Sequence, residues 1–249
     1  MNRLAAALSC LVVLAPLLVS GCAQPPAGPT EYAAAVSPPV CAAIESSGGA
    51  QRWRQLGPVR ATAVVALYDE KGTAWVTQQK QVIDLFNGRI RASARLPRGT
   101  WTAQVGEGAD PAFHVEGEPS SQVVRQRVLD GLWMTLHRVR GPLNLCYFGE
   151  QAGPARRVKI DGQELIRVPV VQSRHGARAY YFDPHSSMLR LMTAGSDEPG
   201  QGGTVTVFTY AMQRGGLAFP SRIEVRRIGQ HQLIGDARVM TVDYTDVDL

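Results

Sequence analysis

VRATAVVALYDEKGTAWVTQQKQVIDLFNGRIRASARL, residues 59–96, is the stretch that decides the fold class. Two turn signals, the polar residues 69–72 and the tight-turn pair Asn87-Gly88, divide it into three runs rich in apolar and β-branched side chains. These runs are residues 59–68, 73–86 and 89–96. Because short turns join neighbouring runs, the stretch predicts an antiparallel meander.

Strand and turn patterns continue through the second half of the chain. Apolar runs alternate there with short turns such as Asp161-Gly162. The predicted strands are residues 155–160, 164–171, 177–182, 188–193, 204–212, 217–228 and 233–247. A further strand is expected at 100–105. Residues 106–120, with Gly, Pro and acidic side chains, and the Gly-rich residues 195–203 are predicted as loops.

Helical patterns occur in two places. Residues 40–56 predict two short helices on either side of a break at Gly48-Gly49. Residues 121–139 show a clear helical period, with an apolar stripe and arginines at other angles. The stripe consists of Val124, Val128, Leu129, Leu132, Trp133 and Leu136, and the arginines are Arg125, Arg127, Arg138 and Arg140. The patterns together predict an α+β fold, in which a large antiparallel sheet of roughly ten strands curls around a helix.

The N-terminal residues have the features of a bacterial export signal. Arg3 precedes an apolar run that is shorter than the roughly 20 residues needed to span a bilayer. Val19-Ser20-Gly21-Cys22 resembles a lipobox, in which a peptidase cuts before the cysteine and the new terminal cysteine is acylated. We therefore expect a signal peptide at 1–21, a lipid anchor on Cys22 and a Pro- and Ala-rich tether at 22–39. The alternative is an ordinary secretory signal in which Cys22 is incidental.

A lipid anchor of this kind would hold the protein on a membrane of the cell envelope, facing the periplasm. Ala23 favours the outer membrane, because an aspartate there would resemble an inner-membrane retention signal. Export also places Cys41 and Cys146 in an oxidising compartment, so we predict a disulfide between them. The alternative is two buried thiols.

Composition and motifs argue against several classes of function. Of the 249 residues, 45% are apolar and 19% are charged, which is typical of globular proteins. The net charge of +5 is modest, and no basic helix supports binding to nucleic acid. The five histidines form no HExxH motif, and no Gly-x-Ser-x-Gly elbow is present. We expect no metal, no cofactor apart from the covalent lipid, and no enzymatic activity; a hydrolase with a dispersed site is the alternative.

Three segments resemble a known family. They are SGGAQRWRQL at 47–56, YYFDP at 180–184 followed by MLR at 188–190, and GGLAFPSRI at 215–223. In this order they resemble the LolA/LolB-like superfamily of periplasmic lipoprotein carriers. The resemblance implies an unclosed β-barrel of about eleven strands whose helices plug the concave face. It also implies an apolar hollow between sheet and helices that receives acyl chains.

The resemblance leads to a functional hypothesis for the domain at 40–249. It predicts a monomeric envelope lipoprotein that holds a lipid or an acylated protein without covalent chemistry, with the loops 106–120 and 195–203 controlling access. The alternative is a scaffold lipoprotein whose core is filled, because protein interiors normally pack densely. The candidate lining residues are Ile83, Leu85, Leu132, Trp133, Leu136, Phe182, Val207, Ile223 and Val242.

Overall fold

The computed structural model of the chain describes residues 38–97, 99–117, 119–141, 143–147, 150–172, 177–210, 212–214 and 216–249. Side chains are described for these residues except at 146–147, 172, 177–178 and 212–214. The predicted signal peptide, Cys22 and most of the predicted tether lie outside the described residues. The first helix begins at Pro38, inside the tether that was expected to end at residue 39.

Two short helices open the described chain, as the sequence predicts. Helix α1 spans Pro38–Ser46 and helix α2 spans Ala50–Leu56. Gly48 lies between them with a φ of 112°, a backbone conformation that favours glycine. A Cβ atom on Gly48 would lie 2.6 Å from the carbonyl oxygen of Gly216, so the break also permits close approach of a distant segment.

Fifteen strands are present in the described residues, and thirteen of them form one antiparallel sheet. They are β1 Val59–Tyr68, β2 Ala74–Asp84, β3 Arg89–Leu96, β4 Gly99–Gly106, β5 Ala109–Gly117, β6 Gln151–Ala152, β7 Arg156–Ile160, β8 Gln163–Gln172, β9 Ala177–Phe182, β10 Leu189–Gly195, β11 Gly203–Thr209, β12 Met212–Arg214, β13 Leu217–Phe219, β14 Arg222–Arg227 and β15 Arg238–Asp248. The sheet order is β5-β4-β3-β2-β1-β15-β14-β11-β10-β9-β8-β6, with β7 also paired to β8. Strands β12 and β13 form a separate hairpin.

The large sheet is not closed, because β5 lies at one edge and β6 and β7 lie at the other. The last strand, β15, pairs with β1 and so occupies the middle of the sheet. The fold is therefore an α+β half-barrel built on a large antiparallel sheet, which confirms the predicted class.

The prediction of a loop at 106–120 is wrong for most of that range. Strands β4 and β5 form a hairpin there, with Trp101 opposite Val115 and Ala103 opposite Phe113. Strand β5 pairs only with β4, and an edge strand tolerates Pro111 because one side of its backbone needs no partner. Its side chains are mostly exposed, so the apolar alternation that identifies a strand is weak in ADPAFHVEG.

Two long strands of the second half are shorter than predicted. The run at 217–228 is divided into β13 and β14 at Pro220 and Ser221, and the run at 233–247 begins only at Arg238. Residues 228–237 instead form a loop over the outer face of the sheet, in which Gly229 and Gly235 approach each other closely. The sheet has thirteen strands, whereas the sequence predicts about ten or eleven. The difference results from added edge strands.

The long helix α3 spans Gln122–Arg140 on the concave side of the sheet, where it contacts β3, β4 and β5. Ser121 caps its first turn, since the Ser121 hydroxyl accepts a hydrogen bond from the Val124 N–H at 3.3 Å. Most of the predicted apolar stripe is buried, but so are Arg138 and Arg140, which the sequence placed at other angles. Within the described part of the chain, no helix is both long and apolar enough to cross a membrane.

Two apolar clusters lie on opposite faces of the sheet. The main cluster fills the concave side and includes residues of α1, α3 and most strands. A smaller cluster lies on the convex side beneath the 228–237 loop. It consists of Leu165, Ala179, Tyr181, Leu191, Val205, Ile228 and Leu233. A short helix that the sequence analysis did not predict, α4 (Leu143–Tyr147), follows α3 and packs against α1.

Candidate functional site

Most of the predicted lining residues meet on the concave side of the half-barrel. Seven of them belong to the main cluster, and each of the seven is at most 3% exposed. They are Ile83, Leu85, Leu132, Leu136, Phe182, Ile223 and Val242. Trp133 is half-buried at the margin of the cluster, where its ring stacks on that of His137 with 5.4 Å between centroids.

The placement of Val207 in this lining is wrong. Val207 packs against the convex cluster, opposite Leu191 on the neighbouring strand β10. Side chains alternate along a strand, so Thr204, Thr206 and Phe208 of β11 face the concave side instead. The sequence did not reveal the error, because the convex face of β11 is also apolar beneath the 228–237 loop.

The predicted role of the 195–203 loop in access to the hollow also changes. Asp197, Glu198 and Pro199 line a cleft of about 370 Å³ together with residues of β7 and the 228–237 loop. The cleft also includes Tyr181 and Leu233, which belong to the convex cluster. This loop therefore borders the convex side, away from the proposed hollow.

A polar row interrupts the apolar lining on strand β2. Thr77, Gln79 and Gln81 face the concave side and are at most 7% exposed. The Gln81 side-chain amide donates to Gln79 Oε1 at 2.9 Å, and the Gln79 side-chain amide donates to the Thr77 hydroxyl at 3.0 Å. Gln81 Oε1 has no hydrogen-bond partner among the described residues. The sequence does not reveal that this row is buried, because polar residues at every second position normally indicate a solvent-facing side of a strand.

A groove runs along one side of α3, and we call it the α3–β1 groove. Its volume is about 420 Å³. It is lined by Leu67, Tyr68, Val123, Gln126, Arg127, Asp130, Met134 and Val239. Leu67 also belongs to the main cluster, and Met134 and Val239 pack against that cluster. The floor of the groove is therefore continuous with the apolar concave face, while Val123, 68% exposed, stands at its mouth.

A second groove, the α3–β5 groove, lies on the other side of the helix. It has a volume of about 480 Å³ and is bordered by Pro111 of β5, by Leu129 and Trp133, and by polar residues of α3. The N-terminal half of α3 thus has an open groove on each side. Gly131 lets the helix approach the sheet between them, since a Cβ atom there would lie 3.1 Å from Leu67 Cδ2.

A buried polar group, the Arg138 cluster, lies at the C-terminal end of α3. It consists of Arg138, Asn144, Glu150, Tyr180, Thr204 and Thr206. Arg138 donates from Nε to the Thr206 hydroxyl at 3.2 Å and from Nη2 to the Thr204 hydroxyl at 3.4 Å. Burial lowers the pKa of Arg138 to about 10.

The rest of this cluster forms a separate hydrogen-bonded chain. The Tyr180 hydroxyl donates to Glu150 at 2.8 Å and accepts from the Asn144 side chain at 3.3 Å. Burial, followed by the charge of Glu150, raises the pKa of Tyr180 well above its ordinary value. Tyr180 is therefore neutral and serves as a hydrogen-bonding group. The cluster is not evident from the sequence, because its members come from five separate segments.

Arg140, two residues further along the helix, is fully buried and forms an ion pair with Glu107 in the β4–β5 turn. The pair fastens the end of α3 to the β4–β5 hairpin. A Cβ atom on Gly88 would lie 3.0–3.2 Å from atoms of both side chains, so a larger residue there would crowd them.

The predicted disulfide stays a prediction, because the Cys146 side chain lies outside the described side chains. The backbone of α1, which carries Cys41, does contact α4, which carries Cys146. Among the described residues, no group of three or more His, Cys, Asp or Glu side chains is arranged to hold a metal ion.

Comparison with known proteins identified similar chains only among solved structures. No model of a protein family matches the sequence, and no curated protein matches it. A putative outer membrane lipoprotein-sorting protein domain from Vibrio parahaemolyticus is 10% identical, with 83% of this chain and 91% of that chain covered and a TM-score of 0.45.

Two further solved structures are similar to the same extent. A LolA superfamily protein from Nitrosomonas europaea is 10% identical, with 86% of this chain and 93% of that chain covered and a TM-score of 0.46. A DUF1329 family protein from Desulfovibrio piger has the same identity and TM-score, with coverages of 85% and 93%.

Proposed function

We propose that this chain is a non-catalytic lipoprotein of the cell envelope, anchored through Cys22, that binds a lipid or acyl chain beside helix α3. The observation that carries the proposal is the α3–β1 groove. Its apolar floor, formed by Leu67, Met134 and Val239, joins the concave core, and it opens to solvent at Val123.

Burial of an acyl chain in this groove has a sufficient driving force without covalent chemistry. Each methylene group removed from water contributes about 0.8 kcal/mol. A groove lies on each side of the N-terminal half of α3, so a small outward movement of that half would widen either groove. The proposed ligand path therefore runs along the helix toward the concave core.

The experiment is lipid analysis of the chain from residue 23 onward, which contains every described element and lacks the proposed anchor. We expect native mass spectrometry and solvent extraction to detect a co-purified lipid. We also expect the delipidated protein to bind a fluorescent fatty acid. Val123→Asp, at the mouth of the groove, should weaken this binding several-fold, because it places a charge beside the acyl chain.

Val171→Asp is the matched control, because Val171 is 61% exposed on β8 and lies outside the groove. It should leave binding unchanged. Absence of any co-purified lipid, together with no binding of the fluorescent fatty acid, would exclude the carrier function.

A scaffold function is the second candidate, and one observation favours it. The seven concave lining residues are at most 3% exposed, as expected of a core that side chains fill. In that case the protein would bind an envelope partner through its surface and carry no lipid, so the same extraction experiment distinguishes the two functions.

A further inference from the structure

Arg138 is a buried cation without an anionic partner among the described residues. Its exposure is 7%, and no described carboxylate lies within 4 Å of its guanidinium. Glu150, the carboxylate of the same cluster, accepts the Tyr180 hydroxyl and forms no ion pair with Arg138. Burying an unpaired charge is costly, so a site of this kind gains from an anion that binds beside it.

The groups around Arg138 are also donors. Thr204 and Thr206 each accept a hydrogen bond from the guanidinium, so the hydrogen of each hydroxyl is available to another acceptor. The Nη1 group of Arg138 has no hydrogen-bond partner in the described part of the chain. Thr204 is half-buried, so the cluster reaches solvent at the start of β11. The Nη1 group and the hydroxyl of Thr204 are therefore donors for which the described residues supply no acceptor.

The Arg138 cluster lies in line with the α3–β1 groove. Val123, Arg127, Met134 and Arg138 follow one another at spacings of four or seven residues, which places them on one face of the helix. Met134 is the last helical residue that lines the groove, and Arg138 is one turn beyond it, about 6 Å along the axis. An apolar groove with a cationic end suits a ligand that has an acyl chain and an anionic head.

We propose that the Arg138 cluster binds the anionic head group, a carboxylate or a phosphate, of an amphiphile whose acyl chain lies in the α3–β1 groove. This inference rests on the proposed lipid-binding function and specifies its ligand class. The head group would accept hydrogen bonds from Arg138 and from the hydroxyl of Thr204, while the fully buried Thr206 would hold the guanidinium in place.

The test compares probes that share one oleoyl chain. Oleate and oleoyl lysophosphatidic acid carry an anionic head, whereas monooleoylglycerol is neutral, and inorganic phosphate lacks the chain. Binding to the delipidated chain from residue 23 onward is measured by titration. We expect both anionic amphiphiles to bind about tenfold to a hundredfold more tightly than monooleoylglycerol, because charge-assisted hydrogen bonds add to the same apolar burial.

Variants then assign the preference to its residue. Arg138→Gln should reduce the preference for the anionic probes to about twofold or less while monooleoylglycerol still binds, and Arg138→Lys should retain part of the preference. Arg60→Gln is the control, because Arg60 is exposed on β1 on the convex side. If Arg138→Gln does not fold, the comparison of anionic and neutral probes on the unaltered chain still decides.

The possible results separate this inference from the function on which it rests. Equal binding of anionic and neutral probes would overturn the head-group site and leave lipid binding intact. Failure of all three oleoyl probes would overturn both. If inorganic phosphate bound as tightly as lysophosphatidic acid, the cluster would be an anion site without a role in amphiphile binding, and the inference would be wrong.

Discussion

Asp183 stabilises the turn between β9 and β10 through hydrogen bonds of a single side chain. Its Oδ1 accepts from the backbone N–H groups of His185 at 2.9 Å and Ser186 at 2.8 Å. Ser187 completes the turn with a φ of 58°, a left-handed conformation that is uncommon for residues other than glycine. The pKa of the Asp183 carboxyl is lower than its ordinary value, and the hydrogen bond from the Ser186 N–H contributes most to this lowering.

We predict that Asp183→Ala lowers the free energy of unfolding by about 1 kcal/mol at neutral pH, because two backbone donors lose their acceptor. The pKa of the folded carboxyl is lower than that of the unfolded one. The contribution is therefore complete above the unfolded pKa, about 3.9, and is lost as the pH falls through the lower folded pKa.

Urea denaturation at neutral pH and below about pH 4 measures this difference. Asp183→Asn is the control, because it keeps an acceptor oxygen but cannot titrate. Its free energy of unfolding should therefore differ from that of Asp183→Ala by the same amount at both pH values. If the unaltered protein and Asp183→Ala differed in free energy of unfolding by the same amount at both pH values, the prediction would be contradicted.

Two residues show the limits of a single-residue interpretation. Arginine is rarely buried, so the sequence favours the polar side of the helix for Arg138. Only the position of β11 beneath it explains its burial. The alternation along β11 assigns Val207 to one face of the strand, but it does not show which of the two faces is concave. In both cases the deciding neighbour is remote in sequence.

Helix α3 is the element that forms both grooves, and its ends are held differently. The C-terminal end is fastened by the buried Arg140–Glu107 ion pair. The N-terminal end depends on the Ser121 cap, which satisfies the N–H of Val124. The first turn has no acidic side chain to complement the helix dipole, so the cap is its main local stabilisation.

Ser121→Ala should therefore lower the free energy of unfolding by about 1 kcal/mol. The loss should be concentrated in the N-terminal half of α3, where hydrogen exchange of residues 122–130 should become faster. Ser120→Ala is the matched control, because Ser120 does not cap the helix. Uniform faster exchange over the whole of α3 would contradict a local role for the cap.

At the scale of the whole molecule, the sheet joins the two ends of the described chain. Strand β15 pairs with β1, and helix α1 contacts α4, which lies between α3 and the second group of strands. The helices that carry Cys41 and Cys146 are thus neighbours, although about 100 residues separate the two cysteines. This proximity supports the proposed disulfide.

We predict that the chain from residue 23 onward, which retains only Cys41 and Cys146, contains no thiol that reacts with a labelling reagent when it is unfolded without reductant. Closing a loop of about 100 residues stabilises a protein by up to about 4–5 kcal/mol in the chain-entropy model. Reduction should therefore lower the free energy of unfolding, and the double variant Cys41→Ala with Cys146→Ala should show the same loss without reductant. Two reactive thiols before reduction would exclude the disulfide.

Local patterns determined most of the elements. The meander of residues 59–96, the break at Gly48-Gly49 and the long helix from Ser121 follow from side-chain period, turn chemistry and capping, which act over a few residues. The main element that these local patterns did not predict is strand β5. It is an edge strand that is held by its pairing with β4, although its sequence lacks apolar alternation.

Only the tertiary structure decided which face of each strand lines the concave side, where the grooves lie and which charges are buried. These properties depend on contacts between segments far apart in the chain, such as Arg138 with β11 and α3 with Leu67. A period of two identifies the two faces of a strand but does not show which face lines the concave side. A helical stripe identifies an apolar side but not the element that packs against it. The sequence by itself therefore determined most of the elements and the large antiparallel sheet, and the packing of α3 against that sheet determined the candidate site.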